Sequence, residues 1–122
     1  IKNAGGTILN PFDSNIRSLL VAIYELGVNE IMVIAHTTCG ACHMDGGEMI
    51  ALMKQRGITE ETLETIRRCG FDLDHWLEGF HDTDESVRKT VDCIRNYPLV
   101  PKDVNVRGFI IDSVTGELTS VC

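Results

Sequence analysis

The sequence has no long apolar run and few basic residues. No stretch approaches the roughly 18 to 20 consecutive apolar residues of a membrane-spanning helix, and the first residues show no signal-peptide pattern. Lys and Arg number 11 against 18 Asp and Glu, so the formal net charge is −7 at pH 7. Such a surface neutralises few phosphates, and we therefore expect neither a nucleic-acid partner nor an anionic membrane.

A disulfide framework is also not indicated. The five cysteines are odd in number and irregularly spaced, which favours free thiols or metal ligands in a reducing, cytoplasmic setting. The sequence shows no repeat, linker or low-complexity tract. With 122 residues, 43% hydrophobic and 24% charged, it has the size and composition of one ordinary globular domain.

Helical and strand patterns alternate along the chain. Apolar residues at helical spacing predict a helix over 14–26, with oxygens of Asp13 and Ser14 at its start and Gly27 at its end. Further helices are predicted over 47–56, 59–68, where Thr59 is the N-cap, and 83–96. The segment 69–81 has no clear pattern.

Three strands complete the prediction. The apolar, β-branched run 30–35 predicts a strand buried on both faces, as in a parallel sheet. A second buried strand is predicted over 104–112, followed by a turn over 113–116 and a short last strand over 117–121. We therefore predict an α/β fold, a mainly parallel β-sheet flanked by helices with an antiparallel last strand.

Residues capable of binding a metal cluster just after the first predicted strand. Cysteine and histidine are absent from residues 1–35 and then occur four times in eight positions, at His36, Cys39, Cys42 and His43. Zinc favours imidazole nitrogen and thiolate sulfur, and parallel sheets bind ligands beyond the carboxyl ends of their strands. His36 and Cys39, three positions apart on a turn, are the predicted ligands of Zn²⁺.

Two other interpretations of this segment remain open. Cys39 and Cys42 form a CxxC, which between a strand and a helix is typical of thiol–disulfide exchange. However, Thr38 occupies the position where such sites usually carry an aromatic residue, and the three prolines are poorly placed for a facing cis-proline loop. A closed structural zinc site using both histidines and both cysteines would require the adjacent Cys42 and His43 to reach one ion under strain.

Several segments resemble one family in order along nearly the whole chain. Residues 36–40, His-Thr-Thr-Cys-Gly, resemble the His-Thr/Ser-x-Cys-Gly signature of β-class carbonic anhydrases. Residues 1–6, Ile-Lys-Asn-Ala-Gly-Gly, resemble that family's Arg/Lys-Asn-Ala-Gly turn, and residues 17–27 resemble the helix that follows it. Residues 106–118 are similar to the family's closing strand pair, and the insertion-free layout is nearest the compact prokaryotic type.

The resemblance implies a zinc lyase that reversibly hydrates carbon dioxide to bicarbonate and a proton by a zinc-bound hydroxide. His36 and Cys39 match two of the family's three protein zinc ligands. The resemblance also implies a homodimer or higher homo-oligomer acting on a small-molecule substrate. Four residues would line the substrate pocket: Asn3, Ala4, Gly5 and Gly40.

Alternative functions remain open. The same scaffold could act as a hydrolase on carbon disulfide or carbonyl sulfide, because these substrates suit the same zinc chemistry. A non-catalytic zinc-binding module, or a CxxC redox module using Cys39 and Cys42, belongs to a different functional class.

One part of the family pattern is missing. The family takes its third ligand from a Cys-x-Asp-x-Arg stretch whose Asp–Arg pair orients the hydroxide, but no cysteine precedes Cys39. We therefore expect 1–122 to be a single β carbonic anhydrase-like domain lacking its N-terminal part, with the Asp–Arg pair upstream of Ile1 and no identifiable catalytic residue. A degenerate relative that binds zinc through Cys42 or His43 is the alternative.

Overall fold

Helices and strands alternate along the chain, and the predicted α/β fold is confirmed. The structure, a computed structural model, describes residues 1–8, 10 and 12–122. The helices are α1 Ser14–Leu26, α2 Gly46–Gln55, α3 Glu60–Arg68, α4 Leu73–Leu77 and α5 Thr83–Arg95. The strands are β1 Glu30–His36, β2 Asn105–Ile111 and β3 Leu118–Ser120, and short 3-10 turns occur at Ala4–Gly6 and Gly40–His43. No helix in the described part is long and apolar enough to cross a membrane.

Side-chain caps set the helix boundaries near the predicted positions. Asp13 accepts hydrogen bonds from the first amides of α1, and Gly27 ends that helix with a φ of 69°. Thr59 caps α3 as predicted. Helix α4, in the segment without a clear pattern, is capped by Asp72, whose carboxylate accepts from the His75 amide. The local capping chemistry thus explains the elements that flank the sheet.

The sheet aligns the ends of two parallel strands. β1 pairs in parallel with β2 from Glu30 opposite Asn105 to His36 opposite Ile111, and β3 pairs antiparallel to β2. The carboxyl ends of β1 and β2 therefore meet at the same edge. The residues that follow His36 and Ile111 must lie close together there.

The prediction that β1 is buried on both faces is wrong for the described structure. Ile31, Val33 and Ala35 are buried, whereas Met32 and Ile34 on the other face are 46% and 47% exposed. Helices α1 and α5 both contribute residues to the apolar cluster on the buried face. The second face has no such cover among the described residues, and the apolar sequence of β1 is compatible with either arrangement.

Two separate apolar clusters stabilise the fold. The sheet cluster contains the buried residues of β1, those of helices α1 and α5, and Val106 of β2. The α2–α4 cluster consists of Ile50, Leu63, Leu73 and Leu77. On the outside of this second cluster, Arg67 donates to both carboxylate oxygens of Asp74 at 2.9 and 3.1 Å and so joins α3 to α4. The candidate site lies at the end of β1 and just after it, in residues that belong to neither cluster.

Candidate metal site

The turn after β1 is fixed by the end of β2. We call residues 36–43 the metal turn. The Thr37 amide donates to the Ile111 carbonyl at 3.0 Å, and the Ser113 amide donates to Thr37 Oγ1 at the same distance. Ser113 Oγ also lies 3.1 Å from Thr37 Oγ1 and 3.3 Å from Thr38 Oγ1. Ser113 therefore holds both residues that separate His36 from Cys39.

Asp112 keeps the segment around Ser113 in place. Its Oδ1 accepts hydrogen bonds of 2.8 Å from the amides of Thr115 and Val114. These two bonds hold the pKa of the Asp112 carboxyl below its ordinary value. The charged carboxylate thus stabilises the turn between β2 and β3, and with it the position of Ser113.

The His36 side chain is oriented for metal binding. Its Nδ1 lies 2.9 Å from the Thr37 carbonyl oxygen, and because a carbonyl only accepts, Nδ1 is the donor. In the neutral imidazole, a proton on Nδ1 leaves Nε2 with a free lone pair, which is the arrangement found in metal-binding histidines. The imidazole is exposed at the carboxyl edge of the sheet. His36 can therefore supply a nitrogen ligand through Nε2.

Cys39 fits a second ligand position. It is 8% exposed and lies at the start of the Gly40–His43 turn, where its carbonyl accepts from the Cys42 amide at 3.0 Å. Together with His36 it provides the nitrogen and sulfur donors that zinc prefers. Within the described residues, no three His, Cys, Asp or Glu side chains come together as a metal-binding group.

The closed four-residue site is not formed in the described structure. Cys42 Sγ donates to the His81 carbonyl at 3.5 Å, and Cys42 and His43 do not join His36 and Cys39 in a cluster. All five cysteines are free thiols. Cys42 therefore contributes to the packing around the metal turn rather than to a four-ligand centre.

Thr38 adopts a strained backbone conformation. Among the described residues it is the only non-glycine residue with a positive φ, at 54°. A β-branched residue rarely occupies this left-handed region, and the cost is about 1 to 3 kcal/mol. The hydrogen bonds to Ser113 and the Thr37 carbonyl keep Thr38 in this conformation. Strain between two candidate ligands is a feature often found at functional sites.

We expect Thr38→Gly to raise the free energy of unfolding of the metal-free protein by about 1 kcal/mol, since glycine adopts positive φ without strain. Urea denaturation measures the change. Thr119→Gly, at an exposed β3 position without a positive φ, is the control and should lower the stability. If Thr38→Gly lowers the free energy of unfolding as much as Thr119→Gly does, the backbone of Thr38 is not strained.

The predicted pocket residues Asn3, Ala4 and Gly5 lie beside the metal turn. Gly5 has a φ of 79°, and a Cβ added there would lie 3.3 Å from Ala41 Cβ and 3.4 Å from Phe80 Cε1. A cavity of about 870 Å³ is lined by Asn3, Ala4 and Gly5 together with Ala41 and residues of the α4–α5 region. His36, Cys39 and Gly40 do not line it.

Comparison with known proteins identifies the family. The family model for carbonic anhydrase matches residues 1–118. The chain is 44% identical over 118 residues to YtiB of Bacillus subtilis, named as a provisional carbonic anhydrase, covering 97% of this chain and 63% of YtiB. The crystal structure of β-carbonic anhydrase isoform I from Trichomonas vaginalis superimposes with a TM-score of 0.86 and 38% identity, over 99% of this chain and 65% of that one. This chain belongs to the β-carbonic anhydrase family.

Proteins named for a second activity, carbon disulfide hydrolysis, share the β-carbonic anhydrase fold. A carbon disulfide hydrolase of Acidithiobacillus thiooxidans is 32% identical over 124 residues, which cover 96% of this chain and 60% of the hydrolase. An apo carbon disulfide hydrolase structure superimposes with a TM-score of 0.74 at 28% identity. The chain thus spans less than two thirds of YtiB and of this hydrolase. Family membership alone therefore leaves the substrate to be tested.

The sequence analysis missed part of the candidate site. It predicted His36, Cys39 and the turn at Asn3, which the structure places around one end of the sheet, but it assigned Ser113 only to a turn between strands. The signal for Ser113 was the parallel pairing of the two predicted strands, which brings the residues after Ile111 next to those after His36. Nothing in the sequence except Gly79 pointed to the contact between the metal turn and residues 79–81.

Proposed function

We propose that this chain supplies two zinc ligands, His36 Nε2 and Cys39 Sγ, to a β-carbonic anhydrase that reversibly hydrates carbon dioxide. The hydrogen bond from His36 Nδ1 to the Thr37 carbonyl carries the proposal, because it frees Nε2 at the carboxyl edge of the sheet, three residues before the buried thiol of Cys39. Membership of the family supplies the expected chemistry.

The chain's own residues bind and orient the ion in this proposal. The Thr37 carbonyl keeps His36 in the tautomer that binds metal, and Ser113 fixes the spacing between the two ligands. The low exposure of Cys39 keeps competing water from its sulfur. When bound, zinc would make a nucleophile available at neutral pH by lowering the pKa of its bound water to about 7.

The described residues provide only two of the three protein ligands that a catalytic zinc site needs. The family's third ligand and its Asp–Arg pair belong to a Cys-x-Asp-x-Arg stretch, which this sequence does not contain. We propose that both are required for activity. We also propose that the active form is a homodimer or higher homo-oligomer in a reducing, cytoplasmic setting.

Stopped-flow measurement of pH change tests the activity. A polypeptide in which a Cys-x-Asp-x-Arg stretch precedes these residues should hydrate carbon dioxide, lose the activity when a chelator removes zinc, and regain it when zinc is restored. The 122-residue chain alone should show little or no hydration. Rapid hydration by the 122-residue chain alone would contradict the assignment of the missing groups.

Carbon disulfide is the second candidate substrate, because two named hydrolases share the fold and about a third of the sequence. The same zinc-loaded polypeptide should be given carbon disulfide and the released sulfide measured. Hydration of carbon dioxide without sulfide release supports the carbonic anhydrase. Sulfide release without hydration would assign the chain to the hydrolases.

A further inference from the structure

The segment between α4 and α5 is docked on the metal turn. We call residues 78–82 the α4–α5 link. The Gly79 amide donates to the Met44 carbonyl at 3.0 Å, and the Phe80 amide donates to the Ala41 carbonyl at 3.2 Å. These backbone bonds, together with the bond from Cys42 Sγ to the link, run along the side of the Gly40–His43 turn. The turn that starts at Cys39 is therefore paired along its length with the link.

Gly79 permits this contact because it has no side chain. A Cβ added to Gly79 would lie 1.9 Å from the Ala41 carbonyl oxygen and 3.0 Å from Met44 Cβ. Its φ lies outside the left-handed region, so another residue could adopt its backbone conformation but would not fit the space. The obstruction is a backbone carbonyl, which cannot move aside as a flexible side chain can.

A displacement at Ala41 would reach Cys39 through the backbone. Ala41 lies close to two segments, to Gly79 through its carbonyl oxygen and to the turn containing Gly5 through its Cβ. Only Gly40 separates Ala41 from Cys39, and the Cys39 carbonyl accepts from the Cys42 amide at 3.0 Å. A Cβ at Gly79 that displaces Ala41 would therefore also shift Cys39, the proposed thiol ligand.

We propose that Gly79 is a positioning residue for the metal site. Its missing side chain lets the α4–α5 link hold the metal turn in the conformation that presents Cys39 Sγ. The inference rests on the proposed role of Cys39 as a zinc ligand. Gly79 does not act on the ion or the substrate itself.

The test compares two glycine variants. Gly79→Ala places a Cβ against the Ala41 carbonyl of the metal turn, whereas Gly27→Ala changes the left-handed residue that ends α1, where an added Cβ meets no atom within 4 Å. Zinc affinity is measured by competition with a chromophoric chelator, ligand geometry by the Co²⁺ absorption spectrum, and stability by Tm. Gly79→Ala should weaken zinc binding by about 10- to 100-fold, as loss of a supporting contact typically does. Gly27→Ala should lower Tm, because alanine is strained at a φ of 69°, but should retain the affinity and spectrum.

Three results would overturn the positioning role. An unchanged zinc affinity and Co²⁺ spectrum in Gly79→Ala would do so, and so would an equal loss of affinity in Gly27→Ala, which would indicate general destabilisation. An unsubstituted protein that binds no zinc would contradict the proposed function as well. The first two results would leave that function intact.

A measurement on the unsubstituted protein keeps the inference testable if Gly79→Ala does not fold. Added zinc should slow hydrogen exchange at the Gly79 and Phe80 amides, because Phe80 donates to Ala41 of the metal turn and Gly79 donates to Met44, the residue that follows it. The Thr62 amide, which donates to Thr59 Oγ1 in α3, serves as the reference and should exchange at an unchanged rate. Absence of zinc-dependent slowing at Gly79 and Phe80 would overturn the proposal.

Discussion

Replacing His36 or Cys39 by alanine is expected to weaken zinc binding by more than about 100-fold, since loss of even a supporting residue costs 10- to 100-fold. Each substitution removes one of the two donors at the end of β1, namely the free Nε2 or the buried thiol. Metal analysis of the purified protein and chelator competition measure the change. The unsubstituted protein should contain about one zinc per chain.

Cys42→Ala is the matched control for these variants. Cys42 is three residues beyond Cys39, but its thiol donates to the His81 carbonyl. Its loss removes this one bond to the link and keeps the backbone bonds of Gly79 and Phe80, so zinc should remain bound. Loss of zinc from Cys42→Ala and from a His43→Ala variant would favour the closed four-residue site. A zinc-free protein with a reversible Cys39–Cys42 disulfide would contradict the metal site and favour the redox module.

The sequence predicted the elements whose boundaries are set locally. Helix α1 and the start of α3 were found because Asp13, Gly27 and Thr59 act on the backbone within a few residues of themselves. Helix α4 escaped prediction because its five residues span little more than one helical turn, too short to show a period. Only its cap at Asp72 was available as a signal.

The sequence could not predict features that depend on packing between distant segments. Whether the second face of β1 is covered depends on what packs against Met32 and Ile34, not on the apolar run itself. In the sequence, Gly79 is an ordinary loop glycine. Its backbone conformation does not require glycine either, and a side chain is excluded there only because Ala41 lies against it. His36 and Cys39 could be proposed from the sequence because they are close together in it and are residue types that bind zinc.

A substitution in the α2–α4 cluster is expected to lower the stability of the fold strongly. Leu63 is 1% exposed and packs with Ile50, Leu73 and Leu77. Leu63→Ala is expected to lower the free energy of unfolding by about 2 to 5 kcal/mol, since it removes buried methyl groups and leaves a cavity. Urea denaturation measures the loss, and Leu52→Ala, at a position 58% exposed on α2, should cost much less.

The Leu63 variant also shows how this cluster supports the candidate site. Leu77 belongs to the cluster and immediately precedes the α4–α5 link, so loosening the cluster should let the link move away from the metal turn. Hydrogen exchange at the Gly79 and Phe80 amides should therefore be faster in Leu63→Ala than in Leu52→Ala. Equal exchange rates in the two variants, despite a large loss of stability in Leu63→Ala, would show that the link is held by the metal turn and the sheet cluster alone.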